Sequence, residues 1–252
     1  MMQQGKERMR IPGRPDPRRL LGRKQGFTLP ELIVAMAITV IVAGAVYTTY
    51  KSQQDSYIVQ DQVVEMQQNL RAALHMMAND IRMAGYNPTG VFNLAGFVAD
   101  LPAPHNGLGA ATSATQIALT TDGGSGTLNG NGIIDDDDSE QIGYRLDGTT
   151  RRLQRFSAAT NGWVTVAEDI EALNFVYLDG AGNVLNLTDP TNLTNIRRVE
   201  ITVLARTQRM DRAFRNSDTF TNQRGTWNFT APGDNYRRRL ITTTVVCRNM
   251  GH

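Results

Sequence analysis

The sequence predicts an α+β protein: one long N-terminal α-helix, membrane-spanning in its first half and amphipathic in its second, packed on an antiparallel β-sheet head. Three observations predict this fold. Between Phe27 and Tyr47 the only charged residue is Glu31. Apolar side chains then recur at three- and four-residue steps as far as Ala84, which is the helical period. Beyond Pro88 the sequence changes to short β-prone segments separated by turn residues.

Positive charge is concentrated at the N-terminus. Residues 1–26 contain eight Lys or Arg against Glu7 and Asp16, a charge of +6, so residues 27–252 carry −4 of the formal net charge of +2. Lys and Arg before an apolar helix hold that end in the cytoplasm. We therefore expect the chain after Tyr50 to face outward, and the mildly acidic body gives no general case for nucleic-acid binding.

The apolar run is about the ~20 residues that a helix needs to cross a bilayer. A secretory signal would be cut after its apolar stretch, whereas here the stretch continues directly into a helical pattern. A simple anchor would have no reason to hold Glu31 within the run, because a carboxylate in hydrocarbon costs a few kcal/mol.

Both oddities fit a known motif. The segment that surrounds the start of the run resembles the type III leader of type IV pilins and pseudopilins; it reads Arg23-Lys24-Gln25-Gly26-Phe27-Thr28-Leu29-Pro30-Glu31-Leu32. The resemblance implies that a prepilin peptidase cuts after Gly26, that Phe27 becomes the N-methylated first residue, and that Glu31 pairs with the N-terminal amine of a neighbouring subunit.

The resemblance also implies the ladle shape of a pilin and divides the chain into four parts. These are a cleaved basic leader (1–26), a transmembrane and filament-core helix (27–50), an amphipathic stalk helix (51–85) and a β-rich globular head (86–252). The buried stripe of the stalk is predicted to consist of Val63, Met66, Leu70, Leu74, Met77, Ile81 and Ala84. Gly85 and Asn87-Pro88 are predicted to end the helix.

Seven segments of the head have the pattern of strands, and we expect them to form a sheet whose inner face covers the stalk stripe. They are residues 116–120, 141–146, 152–156, 163–166, 173–178, 196–205 and 239–248. Asp147-Gly148 joins the second and third. The end of the chain and the helix exit at Gly85-Tyr86 resemble PilW-type minor pilins.

An acidic loop in the head is a candidate calcium site. Residues 127–138 overlay a twelve-residue calcium loop, in which oxygen ligands occupy positions 1, 3, 5, 7, 9 and 12 and Gly occupies position 6. The predicted ligands are Thr127, Asn129, Asn131, the Ile133 carbonyl, Asp135 and Asp138. Because Thr127 stands where such loops have Asp, weak affinity is expected. The alternative is a solvated acidic loop.

Other side-chain groups predict no further site. Arginines at 197–198, 206–215 and 237–239 have no accompanying aromatic stacking pattern, so we expect a solvated face or contacts to acidic neighbouring subunits. The only cysteine, Cys247, excludes an intrachain disulfide and a thiolate metal cluster. No catalytic motif is present, and we predict that the chain is not an enzyme.

Together these features predict a structural subunit, a minor pilin of a bacterial type IV pilus that acts in filament initiation or at the tip. Its expected partners are other pilins, the prepilin peptidase and the inner membrane, and its expected final location is the cell-surface pilus. A minor pseudopilin of a type II secretion system would share the leader, stalk and sheet. A membrane-anchored binding or enzymatic ectodomain is the alternative of another class.

Overall fold

The computed structural model describes residues 26–91, 95–102, 104–105, 111–123 and 130–251, so the basic leader up to residue 25 lies outside the described part. One α-helix, α1 (Leu29–Met83), precedes nine strands and a 3₁₀ helix (Pro190–Asn195). The strands are β1 (Gln116–Thr120), β2 (Gln141–Asp147), β3 (Arg152–Ser157), β4 (Gly162–Ala167), β5 (Ile170–Leu178), β6 (Arg198–Arg206), β7 (Thr219–Thr221), β8 (Asn228–Thr230) and β9 (Arg238–Val246).

The chain divides into two compact units, and the boundary falls within α1. The first unit ends at Gln54, and the second comprises Asp55–His252. The second unit therefore holds the amphipathic part of α1 and all nine strands.

Gly85 ends α1 as the sequence predicts. Its backbone has a φ of +78°, which glycine adopts without the steric penalty of a Cβ. A Cβ at this position would lie 2.7 Å from Met250 Sδ, so a larger residue would also displace the C-terminal segment. The amide of Gly85 donates to the Thr120 carbonyl at 3.2 Å, which turns the chain from the helix onto β1.

The amphipathic part of α1 buries one stripe. Met66, Leu70, Leu74, Met77, Ile81 and Ala84 are buried, with Ala73 and Ala78 between them, and Val63 packs at the edge of the same core. The strand side chains in that core come from both large sheets and include Leu119, Tyr144, Phe175 and Ile201. The predicted packing of the stalk on an antiparallel β head is thus confirmed.

The seven predicted strands are all present, but they form two sheets rather than one. The first has the order β1-β2-β3-β4 and the second β5-β6-β9, with antiparallel pairing throughout. The break falls at Asp169, whose φ of +58° is in the left-handed region and turns the chain between β4 and β5. A short hairpin of β7 and β8 was not predicted.

A polar contact ties the stalk helix to the first sheet. Asp80 Oδ2 accepts hydrogen bonds from the Tyr144 hydroxyl at 2.6 Å and from Arg155 Nε at 3.0 Å. Burial, together with the adjacent Asp80 charge, raises the pKa of Tyr144 well above its usual range, so the hydroxyl remains a donor. The two donors belong to the neighbouring strands β2 and β3, so this contact holds Asp80 of the helix opposite one position of the sheet.

The expectation of a solvated basic face is wrong for three arginines. Arg238 has no exposed side-chain surface; its guanidinium donates to Asp234 at 2.6 and 2.7 Å and to Glu171 at 3.0 Å. Arg237 pairs with Asp211 at 2.7 Å, and Arg206 lies over the Tyr236 ring. Glu171 and Asp211 approach Arg238 and Arg237 from distant parts of the chain, whereas Asp234 is only four residues before Arg238. Arg209, Arg212, Arg215 and Arg239 are exposed as expected.

Replacing Leu70 with Ala tests whether the stalk stripe is an integral part of the core. Leu70 is fully buried, so Leu70→Ala should lower the free energy of unfolding of the head by about 2–5 kcal/mol. Val64 lies outside the buried stripe and is 51% exposed. Val64→Ala should change the free energy of unfolding by less than about 0.5 kcal/mol.

The measurement is urea unfolding of the detergent-solubilised chain, followed by the fluorescence of Trp163 and Trp227, which both lie in the head. Equal losses for the two variants would contradict the packing of α1 described above.

Candidate functional site

The predicted cleavage position lies in an exposed segment that precedes the helix. Residues 26–28 precede α1 and are exposed, and no other atom lies within 4 Å of the position that a Cβ on Gly26 would occupy. Phe27 is 83% exposed. A peptidase needs a bond that it can reach, and the Gly26–Phe27 bond is accessible from all sides.

Helix α1 starts immediately after that bond. The Thr28 carbonyl accepts a hydrogen bond from the Leu32 amide at 3.1 Å, and Pro30 lies in the first turn, where its missing N–H removes no helical hydrogen bond. Helix and cleavage site are thus adjacent but distinct in conformation.

The first half of α1 exposes its apolar side chains on every face. All residues from Phe27 to Gln54 are exposed, including Leu32, Ile38, Ile41 and Val46. By length and composition, this helix could cross a membrane; residues 29–50 span about 33 Å, close to the thickness of the hydrocarbon core. Such a surface is far too apolar to remain in water and needs lipid or other helices around it.

Three polar side chains in this half are satisfied within the helix, whereas the one carboxylate is an exception. The hydroxyls of Thr39, Thr48 and Thr49 donate to backbone carbonyls three or four residues earlier, at 2.7, 2.9 and 3.0 Å. This is the usual way in which hydroxyl side chains are tolerated in hydrocarbon. The exception is Glu31, which is exposed in the first turn and has no ion-pair partner in the described part of the chain.

The structure places only part of the predicted calcium ligand set. Thr127 and Asn129 lie outside the described residues. Asn131 and Asp135 are brought together: Asn131 Nδ2 donates to Asp135 Oδ2 at 2.7 Å, while Asn131 Oδ1 accepts from the Ile133 amide at 2.8 Å. These two side chains are therefore in direct contact with each other.

Asp138 is directed elsewhere. Its carboxylate accepts from the Ala159 amide at 3.1 Å and from the Ser157 hydroxyl at 3.2 Å, and its carbonyl accepts from Arg155 Nη2 at 2.8 Å. It thereby joins the acidic loop to the turn between β3 and β4. If Asp138 turned toward Asn131 and Asp135 to bind a cation, its carboxylate would give up the hydrogen bonds from the Ser157 hydroxyl and the Ala159 amide.

Two buried carboxylates that the sequence analysis did not single out shape the loop. Asp122 accepts from the amides of Asn131 at 3.1 Å and Gly132 at 3.0 Å, and Glu140 accepts from the Asp135 amide at 2.6 Å. Both carboxylates are fully buried. In the sequence, both residues lie next to the end of a predicted strand and beside a Gly- and Asp-rich segment, and this position could have identified them as residues that shape the loop.

A third contact was also missed. Buried His105 bridges the loop and the β3–β4 turn, with Nε2 against Asp136 Oδ1 and Nδ1 2.6 Å from Asn161 Oδ1. Side-chain and backbone hydrogen bonds from Ser139 lower the pKa of Asp137. Among the described residues, no group of three or more His, Cys, Asp or Glu side chains is placed to hold a metal.

Comparisons with known proteins find a family motif in the N-terminal segment. The sequence matches the prokaryotic N-terminal methylation motif over residues 21–47, which include Gly26, Phe27 and Glu31. Among solved structures, the chain is similar to a type IV-like pilin from Thermus thermophilus, with 17% identity and a TM-score of 0.43, over 73% of this chain and 97% of that one. No curated protein matches the sequence.

A second family model matches part of the stalk and most of the head. The family of prepilin peptidase-dependent protein B is matched over residues 59–224, which is more than half of the chain. The motif at the N-terminus, the exposed apolar helix and the antiparallel β head all agree with this match. The chain is a type IV pilin-like protein and belongs to the prepilin peptidase-dependent protein B family.

Proposed function

We propose that this protein is a minor pilin of a type IV pilus, of the PilW type, which helps to initiate the filament or occupies its tip. It is a structural subunit and not an enzyme. The single observation that supports this most strongly is the exposed apolar half of α1, which begins three residues after the cleavable Gly26. A helix in this position becomes the N-terminus of the mature chain and can be transferred from lipid to a bundle of like helices.

The proposed path starts in the inner membrane. The +6 charge of residues 1–26 holds the N-terminus in the cytoplasm, where a prepilin peptidase cuts after Gly26, and the head then lies in the periplasm. Assembly carries the chain into a surface filament. Each apolar side chain of residues 27–50 that leaves lipid must meet another apolar side chain, so the partners are expected to be the corresponding helices of other pilins.

Glu31 is the proposed determinant of assembly. An ionised carboxylate in hydrocarbon is costly unless a cation neutralises it. Among the described residues of this chain, no cationic side chain forms an ion pair with Glu31. Cleavage before Phe27 creates an ammonium group at the depth of Glu31 in each mature subunit. Pairing of Glu31 with that ammonium on a neighbour would remove two isolated charges at once, and would favour the subunit that stands in the correct axial register.

Glu31→Ala should leave membrane insertion unchanged or improved, because it removes a charge from the apolar segment. Incorporation into filaments should fall at least about tenfold, equivalent to ~1.4 kcal/mol for the lost pairing. The measurement is the amount of this chain in sheared surface filaments relative to the amount in the membrane. Asp61→Ala, which removes an exposed carboxylate from the stalk, is the matched control and should assemble normally. Wild-type incorporation of Glu31→Ala would show that the carboxylate has no role.

The acidic loop is proposed as a weak calcium site of the head. The support is the spacing of residues 127–138 and the proximity of Asn131 to Asp135. Binding would require Asp138 to exchange its hydrogen bonds with Ser157 and Ala159 for the cation, and this exchange, together with neutral Thr127, argues for low affinity.

Calcium should raise the melting temperature of the detergent-solubilised chain. A calcium concentration one hundred times Kd would add about 2.7 kcal/mol of stability. Asp135→Asn should abolish the gain and leave the calcium-free melting temperature close to that of the wild type. Asp138→Ala should abolish the gain and also lower the calcium-free value, because Asp138 joins two loops.

The matched control for these variants is Asp218→Asn, an exposed carboxylate outside the loop, which should keep the calcium response. Magnesium at the same concentration separates a calcium site from general screening of the acidic loop. An unmoved wild-type midpoint in millimolar calcium would identify the loop as a solvated acidic turn.

A further inference from the structure

Strand β9 is an edge of the second sheet. It pairs with β6 along its whole length, from Arg238 opposite Arg206 to Val246 opposite Arg198, and no register shift interrupts this pairing. The sheet order is β5-β6-β9, so the other side of β9 has no strand beside it in the described part of the chain.

The hydrogen bonds at the two ends of the ladder show which backbone groups point outward. The Cys247 amide donates to the Arg197 carbonyl at 2.9 Å, and the Thr207 amide donates to the Arg237 carbonyl at 2.8 Å. In an antiparallel pair, alternate residues exchange hydrogen bonds with the partner strand, so the odd-numbered residues of β9 face β6. The N–H and C=O groups of Leu240, Thr242, Thr244 and Val246 therefore point away from the sheet.

These eight outward groups have no backbone or side-chain partner among the described residues. The edge also lacks the features that natural proteins use to prevent pairing. From Leu240 to Val246 the sequence contains no charge, no Pro and no Gly, and there is no bulge. An edge that is long, regular and uncharged pairs readily with another extended chain.

We propose that the outer edge of β9 binds an extended segment of a different subunit in the filament, which adds a strand to the second sheet. The inference rests on the proposed function for the identity of the partner. The partner segment must be extended, because only a β-strand has donors and acceptors at the spacing of the outward N–H and C=O groups of this edge. Those groups belong to Leu240, Thr242, Thr244 and Val246.

A second β9 is not the occupant. Pairing of two identical edges is a two-fold, isologous contact, whereas subunits that follow one another along a filament make heterologous contacts. The strand that β9 receives must therefore be another segment, and it belongs to a different pilin, because a minor pilin at the tip or at the start of a filament has other pilins as its neighbours. Two such β9 edges would instead form a closed dimer and would end the assembly.

The ends of the open edge indicate the chemistry of the incoming strand. Arg239 and Arg248 are exposed, and neither forms an ion pair within the described residues. Thr244 and Val246 are also exposed. The matching segment is expected to be uncharged and rich in β-branched residues, with an acidic residue near one or both of its ends.

Amide hydrogen exchange, resolved to single residues by mass spectrometry, tests this proposal on the full chain. In the detergent-solubilised subunit the amides of Thr242 and Thr244 should exchange fast, and those of Ile241 and Thr243, which are bonded to β6, should exchange slowly. In sheared filaments the amides of Thr242 and Thr244 should slow by about a hundredfold. Fast exchange of both amides in filaments that contain the chain would overturn the proposal and leave the proposed function intact.

Two other outcomes are also decisive. A chain that is absent from filaments contradicts the proposed function, and with it the proposed partner. A detergent-solubilised dimer in which both amides are already protected would show that β9 pairs with itself.

A variant pair gives an independent test. Thr242→Pro removes an outward N–H and adds a ring at the edge, where proline is tolerated because that N–H has no partner in the sheet. It should reduce incorporation into filaments at least tenfold, while Thr242→Val, which keeps the N–H, should not. Normal incorporation of a folded Thr242→Pro protein would contradict strand addition, and if that variant does not fold, the exchange experiment on the wild type decides.

Discussion

Removal of apolar side chains from water is the constraint on which the other features of this protein depend. Helix α1 meets it in two ways along its length. From Met66 to Ala84 the apolar residues occupy one stripe, and the two sheets of the head cover them. From Phe27 to Val46 they occupy every face and remain exposed. The first arrangement is complete within one chain, whereas the second requires a membrane or other helices around it.

The polar groups of the apolar half follow the same constraint. The hydroxyls of Thr39, Thr48 and Thr49 are satisfied by carbonyls of their own helix and need no partner in either environment. Glu31 is different, because it carries a full negative charge and has no ion-pair partner among the described residues. Cleavage after Gly26 would provide the missing cation. In the proposed function, this single charge would connect the processing step to the binding step.

Periodicity predicted the parts of the fold that depend on one stretch of sequence, and missed those that depend on distant contacts. The helix end at Gly85 and the seven main strands follow from local patterns. The break between the two sheets falls at Asp169, whose positive φ no pattern indicates. Arg238 reads as a surface residue, but Glu171 approaches it from 67 positions away. In the acidic loop, spacing placed Asp138 among the ligands, while its side chain bonds to the β3–β4 turn, because spacing does not determine where a side chain points.

The proposed transfer of the apolar helix and the proposed pairing of Glu31 both require a new N-terminus at Phe27. Mass spectrometry of the membrane-extracted protein measures this directly. The predicted N-terminal peptide begins with N-methylated Phe27, and the intact mass lacks residues 1–26. A mature chain that begins at Met1, or one cut after Ala45 as a secretory signal would be, would contradict the assignment of this protein as a filament subunit.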